Sequence, residues 1–268
     1  MTKLDSYTDT YLDLCQGLIE KIRVQQGSIQ VAAQWCAQTI LAGRMVHIFG
    51  SGHSRMMVEE MWPRYGSYPG WNPIVELSLS FHNLVVGANG QRQAMFLENV
   101  TGLAAQILRN FDLSPEDTAI VISSSGCNVV PIEMAESFKA AGVRVIAIIS
   151  AEHAAPSTSK HPKGIKLMDV ADIVLDTGAP RGDAMVTIQG LTTPVAPGST
   201  VGGAMIINSL KAETAAILTE ANSPPTVLTA SVIVGSAKST ELFQSAYDEH
   251  AHRLARLYEN IGQPKKNR

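Results

Sequence analysis

The chain has 268 residues, 45% of them hydrophobic and 17% charged, with a net charge of −3 at pH 7. That length and apolar content support one large domain with a sizeable core and terminal additions. The mild acidity, with a pI near 6.2, argues against nucleic acid and anionic membrane as partners, and no apolar run reaches the ~18 residues that a transmembrane helix needs.

The first elements are helical. Leu4, Tyr7, Tyr11, Leu14, Leu18 and Ile22 recur at helical spacing, which predicts a helix over 4–24, with a second over 28–42. The start, Met1-Thr2-Lys3-Leu4-Asp5, lacks a basic stretch followed by an apolar core, so no signal peptide is expected. Cys15, Cys36 and Cys127 are odd in number and widely spaced; they read as reduced thiols of a cytoplasmic protein. Met45-Val46-His47-Ile48-Phe49 predicts a short strand, then the loop Gly50-Ser51-Gly52-His53-Ser54 and a helix from 55 to about 62. An irregular stretch rich in Gly, Pro and aromatics runs to Gly90, with one short strand predicted near 74–77. A helix is predicted over 93–110, closing before the turn Ser114-Pro115-Glu116-Asp117.

The most informative stretch comes next. Ile120-Val121-Ile122 is a β-branched run that reads as a buried parallel strand, and it ends in Ser123-Ser124-Ser125-Gly126-Cys127-Asn128. A helical pattern over 129–141 starts at once. Strand, Ser/Gly turn and helix N-terminus make an anion site, where free backbone N–H groups, the positive end of the helix dipole and hydroxyl donors converge. The turn contains no Lys or Arg, which points to a phosphate held by neutral donors. The loop at 50–54 repeats this logic about seventy residues upstream, and in open α/β folds both loops can reach the carboxyl edge of one parallel sheet, where ligands bind. A plain strand-to-helix turn with a serine cap is the competing reading of either loop alone, but a cap needs one hydroxyl rather than a cluster.

Strands follow at 143–149, 172–175 and 185–188, with a polar loop at 152–164 between the first two. Ser199 is predicted to cap a long helix to about 220. Pro224-Pro225 breaks the pattern before a final helix over 240–258, and the tail 263–268 reads as disordered.

Two nucleotide-binding signatures are disfavoured. Gly50-Ser51-Gly52-His53-Ser54-Arg55 begins like a dinucleotide fingerprint, but Arg55 stands where its third glycine would be, and that glycine permits close helix–strand packing. No GxxxxGK[ST] loop is present.

The two serine loops together resemble those of the sugar isomerase (SIS) domain family of phosphosugar-binding proteins. The family's second motif is a hydrophobic strand followed by Ser-x-Ser-Gly-x-Thr or a close variant. Here it reads Ser123-Ser124-Ser125-Gly126-Cys127-Asn128, with Asn at the last site, and continues into Pro131-Ile132-Glu133, Ala141-Gly142 and the following strand. Phe49-Gly50-Ser51-Gly52-His53-Ser54 looks like the family's Gly-x-Gly-x-Ser loop. The resemblance covers roughly residues 30–220. Within the family the chain is similar to a bacterial branch related to the phosphoheptose isomerases, and the N-acetylmuramic acid 6-phosphate etherases are near relatives. The resemblance implies an α/β fold, a three-layer αβα sandwich around a mainly parallel, doubly wound, flavodoxin-type sheet, with N- and C-terminal helices. The expected organisation is N-terminal helices over 1–44 packing on the core or a partner subunit, the SIS domain over 45–222, and a C-terminal segment over 223–268.

The resemblance also implies a site. The phosphate would sit on Ser123, Ser124, Ser125, Gly126 and Asn128, with Gly50, Ser51, Gly52 and Ser54 lining the sugar side. In phosphoheptose isomerases a Glu-Glu pair on the helix after the first loop supplies a catalytic carboxylate. Here Glu59 and Glu60 lie on that helix, one turn closer to the loop serine, and which of them faces the ligand depends on helix phase. An exposed acidic pair on an amphipathic helix is the competing reading. A carboxylate near a sugar carbon can remove a proton next to a carbonyl, as isomerisation and elimination both require. His53 could shuttle a proton to a ring oxygen or simply pack on its neighbours. The phosphoheptose isomerases also use a His on the helix after the last strand; the helix at 199–220 contains none and offers Asn208, Lys211 and Glu213. Arg55 reads as solvent-facing. His153 and His161 lie in a polar loop, and His250 and His252 stand too far apart around a helix to share a metal.

Three functions follow as expectations: an aldose–ketose isomerase working through an enediol, an etherase-type lyase on an amino-sugar phosphate, or a non-catalytic sugar-phosphate sensor. No cofactor and no metal are called for. A homodimer or homotetramer is expected, because the apolar N-terminal helices need cover.

Overall fold

The computed structural model describes residues 6–81 and 84–261. Its elements in chain order begin with α1 (Tyr7–Arg23), α2 (Gln26–Leu41), β1 (Val46–Gly50), α3 (Arg55–Met61), β2 (Trp71–Ile74), α4 (Leu77–Ser80), α5 (Gln91–Leu97) and α6 (Leu103–Leu108). There follow β3 (Thr118–Ile122), α7 (Val129–Ala140), β4 (Arg144–Ile149), α8 (Ala151–Ala154), α9 (Leu167–Val170), β5 (Ile173–Asp176), α10 (Ser199–Glu220), α11 (Ser231–Val234) and α12 (Ser236–Arg256).

The five strands form one sheet in the order β2-β1-β3-β4-β5, and every pairing is parallel. Runs such as Ala119-Ile120-Val121-Ile122 and Val145-Ile146-Ala147-Ile148 are apolar at every position because a parallel sheet is covered on both faces. The pleat divides them. Ile120, Ile122, Ile146 and Ile148 join α2, α3 and α10 in one core, whereas Ala119, Val121, Val145 and Ala147 join α6 and α7 in another. The result is a three-layer αβα sandwich of the flavodoxin-type strand order. In that order the chain reverses its direction of strand addition between β1 and β3, which opens a crevice at their carboxyl ends. Phe49 pairs with Val121 and Gly50 with Ile122, so the two serine loops leave the sheet side by side at that point.

The opposite end of the same two strands is closed by a polar cluster. Arg44 donates to both Asp117 oxygens (2.7 and 2.8 Å), and the Ser114 N–H donates to Oδ2 at 2.8 Å. His47 Nε2 lies 3.2 Å from Oδ2, and Asn72 Nδ2 donates to His47 Nδ1 at 2.9 Å. With Nδ1 occupied as an acceptor, Nε2 carries the ring proton. Burial alone would raise the Asp117 carboxyl, but the bonds from His47 and Arg44 outweigh it and hold the group below the usual carboxylate range.

Several expectations are corrected. The helix predicted over 93–110 is two helices, α5 and α6. Gly102 sits between them at φ +87, a conformation favouring glycine, and its N–H donates to Glu133 at 2.7 Å. The strand predicted near 74–77 lies at Trp71–Ile74; Pro73 is tolerated because β2 is an edge strand. Residues 185–188 form no strand but a single antiparallel bridge between Val186 and Val195. The first three residues of the loop expected over 152–164 belong to a short helix, α8 (Ala151–Ala154). Ser199 is the first residue of α10 rather than its cap: Asp183 accepts from the N–H groups of Gly198 and Ser199 at 3.1 and 2.7 Å. The final helix begins at Ser236, ahead of 240. The tail at 263–268 and Leu4 lie outside the described residues. Among the described residues no helix is long and apolar enough to cross a membrane.

Candidate functional site

The first loop leaves β1 at Gly50. A Cβ on this residue would lie 2.6 Å from the carbonyl oxygen of Ser54, so only glycine lets the loop fold back this closely. Ser51 is extended, and Gly52–Ser54 form one 3₁₀ turn closed by the Ser54 N–H on the Ser51 carbonyl at 3.1 Å. Ser51 is buried, and His53 stands exposed on the turn.

The second loop is held from three sides. The carbonyls of Ser124, Gly126 and Cys127 accept from the N–H groups of Ser150, Leu167 and Lys160 at 2.9, 2.8 and 2.9 Å. Within the loop, Ser123 Oγ accepts from the Gly126 N–H and Ser125 Oγ from the Cys127 N–H, each at 3.3 Å. Ser124 Oγ is buried with no partner, and the amides of Ser124 and Ser125 have no acceptor among the described residues. Buried polar groups are normally satisfied; these unpaired donors belong to the loop that precedes the N-terminus of α7, the kind of place where anions bind. Burial pushes the Cys127 thiol up, against the pull of Lys166 and Lys160, so it is a protonated neighbour and not a thiolate nucleophile.

Sequence reasoning missed the group that joins the two loops. Glu98, the residue after α5, accepts from Ser51 Oγ through one carboxylate oxygen and from Asn128 Nδ2 through the other. Its own carbonyl accepts from the Val130 N–H at 3.0 Å. Asn128 occupies the N-cap position of α7 but makes no capping bond; its side chain is committed to Glu98. Lys160, from the loop between α8 and α9, donates to Asn128 Oδ1 at 2.8 Å. The signal for Glu98 was Gly102, a breaker inside an otherwise helical pattern. No local signal marks Lys160, which lies far along the chain from its partner.

Glu59 and Glu60 are engaged elsewhere. Arg55 donates to Glu59 at 2.9 and 2.6 Å, so this arginine is paired along its own helix. Glu60 accepts from Arg64, and from Asn208 of α10 at 2.9 Å, while Lys211 donates to the Glu60 carbonyl at 2.8 Å. Burial would raise Glu60, yet Asn208 and Arg64 outweigh it and hold the carboxyl below its usual range. Burial lowers Lys211, although Glu60 opposes this. Glu59, Glu60, Met56, Arg64 and Tyr65 line an open depression of about 360 Å³. The His250 ring lies tilted against Trp62 with centroids 5.3 Å apart, and His161 lies 3.3 Å from Glu136. No group of three or more His, Cys, Asp or Glu side chains able to hold a metal ion occurs among the described residues.

A protein-family model described as SIS domain matches residues 7–150. A UPF0309 protein of Listeria monocytogenes is 32% identical over 255 residues, spanning 94% of this chain and 99% of its own. A UPF0309 protein of Geobacillus kaustophilus is 32% identical over 225 residues, 84% of this chain and 87% of its own. Among solved structures, a phosphoheptose isomerase from Francisella tularensis aligns at a TM-score of 0.49 with 16% identity, over 80% of this chain and 98% of that one.

Proposed function

The chain belongs to the SIS domain family, and we propose that it binds a sugar phosphate and isomerises it by proton transfer through an enediol. The observation that carries this reading is the Glu98 carboxylate held between Ser51 of one loop and Asn128 of the other. The phosphate occupies the unpaired donors of Ser124 and Ser125, with Ser123, Gly126 and Asn128 around it, and the sugar extends toward Gly50, Ser51, Gly52 and Ser54. Glu98 takes the proton from the carbon beside the carbonyl, leaving an enediolate; the neighbouring hydroxyl proton passes to the former carbonyl oxygen through the enediol, and Glu98 returns its proton to the adjacent carbon. His53, exposed at the mouth of the first loop, assists ring opening by moving a proton between the ring oxygen and the anomeric hydroxyl. Glu60 is the second candidate for the proton carrier, with Glu59 beside it. Against burial, Asn208 and Arg64 hold the Glu60 carboxyl below its usual range, which makes it a weak base; Glu98 is preferred because its carboxylate touches both serine loops.

The test is deuterium incorporation. Incubated in D2O with a panel of sugar phosphates, the protein is expected to label one of them at the carbon beside the carbonyl, and Glu98→Gln to slow labelling by about 10²–10⁴-fold. Glu60→Gln losing as much while Glu98→Gln retains activity would move the proton transfer to α3. Binding without labelling would establish a sensor, and labelling with release of an ether-linked group would establish the lyase.

A homodimer or homotetramer completes the reading. It is supported by an apolar groove of about 770 Å³ between α1 and α10, lined by Ile19, Ile22, Val201 and Met205, which a second copy would cover. A monomer at micromolar concentration by light scattering would refute this.

A further inference from the structure

Resting on that phosphate reading, we propose that Lys160 supplies the positive charge of the site and selects the phosphate dianion. The serine loop itself contains only neutral donors, and a helix terminus adds about half a unit charge. Lys160 is tied to that loop twice, by its backbone N–H on the Cys127 carbonyl at 2.9 Å and by its ammonium on Asn128 Oδ1 at 2.8 Å. Asn128 is the N-cap residue of α7, so the ammonium stands at the same helix end as the unpaired donors of Ser124 and Ser125.

The neighbouring lysines are committed. Lys163 pairs with Glu136 at 2.7 Å, and Lys166 donates to the carbonyls of Ala154 and Ala155, both at 2.8 Å. Lys160 makes no ion pair among the described residues, and its ammonium rests on a neutral amide oxygen. Exchanging that oxygen for a phosphate oxygen turns a neutral-acceptor bond into a doubly charged one, which is shorter and stronger. The exposed stem lets it swing without disturbing the core.

The experiment is a titration of the full chain with inorganic phosphate and with the sugar-phosphate panel, read by thermal shift for wild type, Lys160→Met, Lys160→Arg and Lys163→Met. Lys160→Met is expected to weaken phosphate binding by roughly tenfold or more, Lys160→Arg to restore part of it, and Lys163→Met to change nothing. Wild-type affinity is expected to rise through the second phosphate ionisation near pH ~6, and Lys160→Met to lose most of that rise, which a merely structural lysine would not affect. Wild-type binding that Lys160→Met retains with the same pH profile would overturn the role of Lys160 and leave the phosphate site standing. No response of wild type to any phosphate would overturn both.

Discussion

At the amino end of the sheet, Asp117 receives donors from Arg44, Ser114 and His47, and Asn72 completes the ring. His47 and Asp117 are wholly inaccessible to solvent. At the carboxyl end of the same strands, Ser124 Oγ and the amides of Ser124 and Ser125 stand without partners. Both clusters are polar, and both close a parallel sheet over β1 and β3. They differ in whether the protein answers its own hydrogen bonds. A closed cluster is expected to matter for stability, an open one for a ligand, and the two can be separated by substitution.

The largest expected effect is at the closed end. Asp117→Ala leaves Arg44 buried in part without its counter-charge and His47 without an acceptor, at a cost of about 3–5 kcal/mol, measurable by urea denaturation. A loss below about 1 kcal/mol would break the contrast. The same carboxylate sets an acid limit. Its pKa is lowered in the folded state, so its stabilisation is complete above the unfolded carboxylate value near ~3.9 and lost as pH falls through the lower folded value. Stability plotted against pH below about 4 is expected to be flatter in Asp117→Asn than in wild type.

At the open end the effects shrink. Gly50→Ala forces a methyl against the Ser54 carbonyl and is expected to cost on the order of 1–3 kcal/mol, with Ser51 displaced and the response to phosphate probes weakened. Ser124→Ala removes a hydroxyl that has no partner, so stability should stay within about 0.5 kcal/mol of wild type. The thermal shift produced by phosphate should nevertheless fall. A Ser124→Ala protein that is clearly destabilised but binds as before would reverse the assignment of the two ends.

The open end was legible in sequence where its signals are local. A β-branched run followed by Ser-Ser-Ser-Gly announces a strand, a turn and a helix start within ten residues, and the alternating pattern of helices and strands gives the layers. What could not be read were the long-range partners. Glu98 is hidden because 93–110 reads as one helix, whereas α5 stops at Leu97 and α6 starts only after Gly102. Lys160 reaches Asn128 across β4. Asp183 replaces Ser199 as the cap of α10 because a turn near the sheet edge delivers its carboxylate to two amides. Edge strand β2 is hard to place from sequence because Pro73 argues against a strand wherever the partner side is unknown.

The pause between α5 and α6 has a metric consequence. Glu98 hangs from the Val130 N–H and Gly102 from the Glu133 carboxylate, so both ends of the pause ride on the first turns of α7. That helix also frames the serine loop. The separation between the anion seat and the carboxylate is therefore fixed by one piece of backbone rather than by two independent helices. On the proposed chemistry this makes the site a gauge: it accepts a substrate by the number of carbons between its phosphate and its acidic C–H, whatever groups hang from the rest of the chain.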